Sequence, residues 1–346
     1  MDDDESIAGR GAPSEDDRVA LDLAIRGFQV SCLLRLVADL GIADHIPKTQ
    51  PVAVEDLAAA CGVQALPLMR VLRALCACGI FAVGPDGDVR HNPRSLLLRT
   101  DMPGSLAHAA RFWAAPGSWA AWGKLDVAMT GGTPHVAAWN QGRFEYLRAH
   151  PDEARAFDAM MANFGDDRHA AVAGAYPFPS GALVADVGGG NGAALREILL
   201  RHPTVRGLLF DRPDVVAALG PDQLMDGRIR AVGGSFFEPL PSGADVYILM
   251  RVLHDWPDAD CIAILERCRD AMPEQGVLLI CDQILQPDPS RAPPTEYLVD
   301  IQMMAMFGDG RERTEREFAQ LVTGAGLTMR RVVPTGSAVQ IVEAGR

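Results

Sequence analysis

The chain has 346 residues, 48% of them hydrophobic, and a formal net charge of −13. That length allows two domains, or one domain with a large appendage, and enough apolar residue for a packed core. The acidic balance argues against nucleic acid or an anionic membrane as a partner. No apolar run reaches the length of a membrane span and no signal peptide is evident, so a cytoplasmic protein is expected. Seven cysteines are scattered without a C-x-x-C pair; they read as reduced thiols in core positions, with no metal site.

Residues 1–17 begin Met-Asp-Asp-Asp-Glu-Ser and read as a disordered acidic tail. An N-terminal domain is expected over residues 18–100. From Val19 to Ile46, apolar residues recur at helical spacing over a broad surface, the pattern of a helix buried on two sides, within its own domain or against a second subunit; Gly41 ends it. Pro51 to Leu98 reads as a helix from Val54, a turn at Cys61-Gly62-Val63, a second helix from Leu66 to Cys78, and a hairpin around Asp86-Gly87. This is a winged helix-turn-helix pattern. Arg70 and Arg73 on its second helix are offset by Glu55, Asp56, Asp86 and Asp88, which favours a structural or dimerising use over DNA binding. Residues 101–176 are helical and rich in aromatic residues and Met, suiting core or the wall of an aromatic-substrate pocket.

From Ala182 strands and helices alternate. Strands are expected at Leu183–Val187, Gly207–Phe210, Ile229–Val232, Val246–Met250, Val277–Cys281, Met329–Val333 and Ala338–Val342. Helices are expected at Ala193–Arg201, Pro213–Leu219, Asp258–Met272 and Glu315–Ala325. The fold class is therefore α/β: a Rossmann-like, doubly wound, seven-stranded domain over residues 177–346, whose ligands sit beyond the carboxyl ends of the strands.

The first strand runs into Asp186-Val-Gly188-Gly189-Gly190-Asn191-Gly192. Gly188, Gly190 and Ala193 fit the dinucleotide fingerprint G-x-G-x-x-A, with Asp211 where an acid would take a ribose diol. Asp186, however, places a carboxylate where a pyrophosphate would have to lie. That repels NAD and suits S-adenosylmethionine, which carries an ammonium and a sulfonium and no phosphate. Asp211 has a second reading, as an N-cap for the helix entered at Pro213.

The other strand ends supply the chemistry. The third runs into Gly234-Ser235-Phe236-Phe237, a hydroxyl and rings that could bracket an adenine. The fourth runs into Arg251-Val-Leu-His254-Asp255-Trp256, and the fifth is expected to end at Asp282; Gly308-Asp-Gly-Arg-Glu312-Arg-Thr follows a Met-rich segment. His254 is the candidate base that removes an acceptor's proton, with Asp282 or Glu312 fixing its tautomer. Asp255, adjacent to His254, is expected to point elsewhere and to cap or to bind the acceptor.

With those residues in place the chain resembles the caffeic-acid-type (class II plant-like) O-methyltransferases and their bacterial relatives that methylate aromatic natural products. The resemblance rests on Asp186-Val-Gly-Gly-Gly-Asn-Gly, Phe210-Asp211-Arg-Pro, Gly234-Ser-Phe-Phe-Glu-Pro-Leu, Leu253-His-Asp-Trp and Gly310-Arg-Glu-Arg-Thr314, and covers nearly the whole chain. It implies S-adenosylmethionine contacts from Gly188 and Asp211, adenine contacts from Ser235 and Phe236, and Arg251 near the cofactor where many members have Lys. It also implies His254 as general base flanked by Asp282 and Glu312, a substrate pocket at Phe157, Met161, Met303 and Phe307 with help from Asp255, and a homodimer exchanging N-terminal helices. Ser235 departs from the usual Gly-Asp-Phe-Phe and loses a carboxylate that could accept from the adenine amine. The alternatives are a hydroxylase or N- or C-methyltransferase, and a ligand-sensing winged-helix DNA-binding protein.

Overall fold

The computed structural model describes residues 13–346. The chain forms two compact units. The first takes the described residues up to Ala115 together with Arg155–Met160; the second takes Pro116–Ala154 and Met161–Arg346. The helical stretch 101–176 contributes to both.

The first unit opens with a capped helix. The Ser14 hydroxyl accepts from the Asp17 N–H at 3.1 Å and the Asp17 carboxylate accepts from the Ser14 N–H at 2.8 Å, a reciprocal cap that starts the helix Glu15–Ile25. The last residues expected in the acidic tail are therefore helical, and residues 1–12 lie outside those described. The single helix expected from Val19 to Ile46 is three: Glu15–Ile25, Gly27–Asp39 and Ile42–His45. The first break falls at Arg26-Gly27, where glycine is a poor helix former. The second falls at Gly41, which takes the left-handed conformation (φ 63°) expected of a helix stop.

The winged pattern follows as expected, with helices Val54–Cys61 and Ala65–Ala77 around a left-handed Gly62 and a hairpin of Ala82–Val83 and Asp88–Arg90. An unexpected strand, Val52–Ala53, pairs with Asp88-Val89; two residues are too few to show a period. Val37, Ile42, Leu57, Leu72, Leu75 and Phe81 form the core. Leu21, Leu23, Ile25 and Phe28, at 63%, 58%, 67% and 55% exposure, are left uncovered within this unit.

The second unit is built on one sheet. Its main strands are β1 (Leu183–Val187), β2 (Arg206–Asp211), β3 (Ile229–Gly233), β4 (Val246–Met250), β5 (Val277–Leu285), β6 (Thr328–Val333) and β7 (Val339–Gly345), in the spatial order β6-β7-β5-β4-β1-β2-β3. The five from β5 to β3 are parallel; β7 runs antiparallel to β5 and pairs with β6 as a hairpin. All seven expected strands are present. Apolar clusters cover both faces, one including Leu249, Leu265, Leu278 and Phe318, the other Leu195, Ile198, Leu209 and Ile248, so the parallel strands read as unbroken apolar runs.

Two differences bear on the site. β5 runs to Leu285, so Asp282 lies inside the strand and not at its end. A buried carboxylate and amide at Asp282-Gln283 interrupt the apolar run, but Ile284 and Leu285 resume it and pair with a two-residue strand at Arg313-Thr314. The Met-rich segment belongs to a helix, Pro294–Phe307, which sequence patterning missed because it is apolar nearly all round. Among the described residues, no single helix is long and apolar enough to cross a membrane.

Candidate active site

The turn after β1 brings backbone together where side chains would not fit. Gly188 has φ 76°, and a Cβ there would stand 2.9 Å from Val252 Cγ2 and 3.8 Å from the Phe236 ring. Its N–H donates to the Phe210 carbonyl at 2.8 Å. Gly192, at φ 76°, starts the helix Ala193–Arg201. Asp211 spans the crevice between β1 and β2: its Oδ2 accepts from the Gly190 N–H at 2.8 Å and its Oδ1 from the Arg212 N–H at 2.7 Å. The cap of the following helix is Arg212, so Asp211 is not the N-cap of its alternative reading. Phe236 lies edge-on to Trp256 at 5.6 Å, and the Ser235 hydroxyl accepts from the Phe237 N–H at 3.3 Å, closing its own turn.

Under this turn lies Asp186, 1% exposed, with no hydrogen-bond partner for either carboxylate oxygen among the described residues. Burial, reinforced by the charge of Asp211, pushes its pKa up to about 7. The charged form of Asp186 therefore gains from a nearby cation.

Three segments converge on His254, which is 7% exposed. Its Nδ1 is hydrogen-bonded to Glu312 Oε1 at 3.2 Å and lies 3.4 Å from Asp282 Oδ1. Arg251 Nη1 reaches the same two oxygens, donating to Glu312 Oε1 at 3.1 Å and standing 3.6 Å from Asp282 Oδ1. Glu312 is therefore the acid bonded to the ring. Burial pushes Asp282 above the usual carboxylate range, since its oxygens lack hydrogen bonds. Burial acts on Glu312 in the same sense, but the Arg251 guanidinium and His254 outweigh it and hold Glu312 below the usual range.

Asp255 does not point away from His254. The short 3₁₀ turn Leu253–Asp255 folds its carboxylate back, and Oδ1 lies 3.4 Å from His254 Nε2. The ring therefore has a carboxylate on each side. Burial and the Arg251 charge lower its proton affinity; Asp282, Asp255 and Glu312 raise it by more, and the balance lies above the ordinary 6.5. His254, Asp282 and Glu312 each offer one atom within 4.8 Å of the others, a spacing that could suit a divalent cation. The Arg251 guanidinium already answers both acids there, and a metal would have to displace it.

Sequence reading missed what holds these segments in register. Arg313, fully buried, donates to the Leu253 carbonyl at 2.9 Å and the Trp256 carbonyl at 2.8 Å, and pairs with Asp258 at 2.8 Å, tying down both sides of His254. Gly310 lets the Glu312 loop close on the His254 loop: a Cβ there would meet the His254 carbonyl oxygen at 2.8 Å. A charged residue in a glycine-rich stretch after an apolar helix was the only available signal. Among the expected substrate contacts, Met303 and Phe307 stand one turn apart on the helix Pro294–Phe307, both half-buried, and Phe307 packs on Phe144 at 5.5 Å. Met161 is half-buried in the second unit. Phe157 belongs to the first unit, where it packs on Phe112 at 5.2 Å.

Residues 122–328 match the O-methyltransferase domain family, and residues 23–100 match the O-methyltransferase dimerisation domain. The chain belongs to the O-methyltransferase family. Phenazine O-methyltransferase PhzM of Lysobacter antibioticus is 37% identical, over 92% of this chain and 94% of that one. The mitomycin biosynthesis 6-O-methyltransferase of Streptomyces lavendulae is 34% identical over 93% of each chain. The solved structure of NcsB1, with S-adenosylmethionine and 2-hydroxy-5-methyl naphthoic acid, superposes with a TM-score of 0.79 at 30% identity, over 91% of this chain and 95% of that one. The cofactor of this methyltransferase is S-adenosylmethionine. The residues fit it: a buried, unpartnered acid in place of a phosphate site, and beside it a carboxylate held by two backbone N–H groups with lone pairs left for a diol.

Two outcomes follow for the methyltransferase. Gly310→Ala puts a methyl against backbone atoms that cannot swing away; turnover should fall at least about tenfold and stability by about 1–3 kcal/mol, read from kcat and urea melts. Asp186 binds its proton more tightly folded than unfolded, so wild-type stability without cofactor falls as pH rises between about 4 and 7. Asp186→Asn removes that loss; its melting temperature should exceed wild type at pH 8 by more than at pH 5, while calorimetry shows weakened S-adenosylmethionine binding.

Proposed function

We propose that this methyltransferase methylates a phenolic hydroxyl of a small aromatic metabolite, with His254 as general base. The observation that carries this reading is the buried imidazole bonded through Nδ1 to Glu312, which makes Nδ1 the N–H and leaves Nε2 as the acceptor. A phenol of pKa about 10 and an imidazole form a workable acid–base pair in a water-poor site. Bound S-adenosylmethionine supplies an electrophilic methyl group on a sulfonium. Asp186 would answer its positive charge, Asp211 would accept from the ribose hydroxyls, and Gly188, Gly190 and Phe236 would form the turn and the ring wall beside it. Ser235, already committed to its own turn, would give the adenine a weaker contact than a carboxylate.

On the acceptor side, His254 Nε2 takes the hydroxyl proton as oxygen attacks, and Glu312 stabilises the imidazolium that forms. Asp255, beside Nε2, would hold a second polar group of the acceptor or the hydroxyl itself. Met161, Met303 and Phe307 are apolar and half-buried, suited to a flat ring. Two relatives support an aromatic acceptor: PhzM is named for phenazine, and NcsB1 holds a naphthoic acid.

We assign a homodimer to the first unit, with the exposed Leu21, Leu23, Ile25 and Phe28 meeting a second copy. The seven cysteines are all free, which suits a reducing, cytoplasmic setting.

His254→Ala should lower kcat by about 10²–10⁴-fold with S-adenosylmethionine affinity nearly intact by calorimetry. Since only the neutral ring is a base, wild-type kcat should drop on the acid side of a limb lying above 6.5, and the variant should lack that limb. A panel of phenols with labelled cofactor, read by methyl incorporation and a mass gain of about 14 Da on oxygen, tests the acceptor class; unchanged turnover in His254→Ala rejects the base. Leu21→Asp with Phe28→Asp should convert a species of twice the chain mass to monomer in light scattering.

A further inference from the structure

We propose that Arg251 is a positioning residue for methyl transfer: its guanidinium holds the two carboxylate oxygens that face His254 Nδ1, fixing the ring and opposing the pull of those carboxylates on a second ring proton. The proposal rests on the reading of His254 as the base.

The geometry is specific to single atoms. Glu312 Oε1 takes Arg251 Nη1 at 3.1 Å and His254 Nδ1 at 3.2 Å; Asp282 Oδ1 stands 3.6 Å and 3.4 Å from the same two nitrogens. Both acids are almost fully buried, with side chains at 1% and 0% exposure. If Arg251 were neutral, two buried carboxylates on one side of the ring and Asp255 on the other would draw a proton onto the imidazole, and an imidazolium cannot accept one from a phenol.

Arg251 is aimed by its backbone. It follows β4 directly, keeps one more sheet bond by donating to the Cys281 carbonyl at 3.0 Å, and then turns with φ 57°. That left-handed conformation is strained for a non-glycine residue, and such strain clusters at functional positions.

The groups facing this cluster come from five other segments. Asp255 lies on the His254 turn, Asp282 in β5 and Glu312 on its loop. Arg168, on the helix Pro151–Ala175, adds a second positive charge felt by Arg251 and Glu312. Asp300, on the helix Pro294–Phe307, accepts from the Glu312 N–H at 2.9 Å and holds that loop in place. Of these, only Arg251 touches both oxygens that face the ring.

The test compares Arg251→Gln and Arg251→Lys with wild type. In the cofactor-free protein, an NMR titration of the His254 ring should shift to higher pH in Arg251→Gln by about one unit, and less in Arg251→Lys. The acid limb of kcat should move with it, so kcat at pH 7 falls about tenfold while KM for the aromatic acceptor stays within about threefold. In a double variant, Arg251→Gln should cost little on top of His254→Ala, because it acts through the ring. An unmoved His254 titration in both variants overturns the proposal, as does a tenfold loss of S-adenosylmethionine affinity with the titration unchanged, which would make Arg251 a cofactor ligand instead. If His254→Ala turns over at the wild-type rate, the base assignment fails, whatever the titration shows.

Discussion

Asp282 and Glu312 place two carboxylates out of reach of water around one imidazole, and Arg251 supplies the fixed positive charge that makes their burial tolerable. Taking one partner from such a set typically costs about 3–5 kcal/mol, whereas apolar residues of similar size are often no less stable. The cluster is therefore a poor device for stability and a good one for holding a proton acceptor in one tautomer. Its internal asymmetry follows from the hydrogen bonds: Glu312 accepts from the Arg251 guanidinium and bonds His254 Nδ1, which favours its ionised form, while Asp282 has close neighbours without a bond and holds its proton more tightly.

That arrangement depends on segments far apart in sequence meeting beside the carboxyl-end halves of two interior strands. β4 delivers Arg251 and the His254 turn, β5 delivers Asp282, and the loop entering Arg313-Thr314 delivers Glu312. Besides the side-chain bonds of the cluster, contacts to the backbone join them. Arg313 answers the Leu253 and Trp256 carbonyls, Gly310 allows the loop to lie against the His254 carbonyl, and Arg313-Thr314 pairs with the end of β5. The cofactor side is built the same way, with Gly190 and Arg212 donating backbone N–H groups to Asp211 across the β1–β2 crevice. Backbone contacts thus hold both the His254 loop and the glycine turn in place.

The strands, the glycine turn and the buried histidine at the end of β4 were legible because each leaves a local mark: an apolar run, a glycine cluster, a histidine just beyond a strand. What was not legible depended on geometry between segments. Asp282 looked like a strand end because a charge broke the apolar run, yet β5 continues through it. Asp255 was expected to diverge from His254, but a 3₁₀ turn brings adjacent side chains back together. Arg251 was read toward the cofactor, and its pairing with two acids from distant segments has no trace in local sequence. The helix Pro294–Phe307 hid because a nearly all-apolar helix shows no amphipathic period, and the N-terminal helix was drawn too long because the Arg26-Gly27 break lies inside continuous apolar spacing.

The antiparallel strand β7 sets Gln340 opposite Asp282. The strand that carries the acid is thus flanked on one side by β4 and on the other by residues that leave the ribosome long after it. Until β7 docks, β5 presents an open edge with a charged residue at its centre, a state prone to pairing with the wrong strand. Competence for methyl transfer is then among the last properties a nascent chain acquires, and a mutation in β7 that touches no substrate would act first on the yield of active enzyme made at elevated temperature.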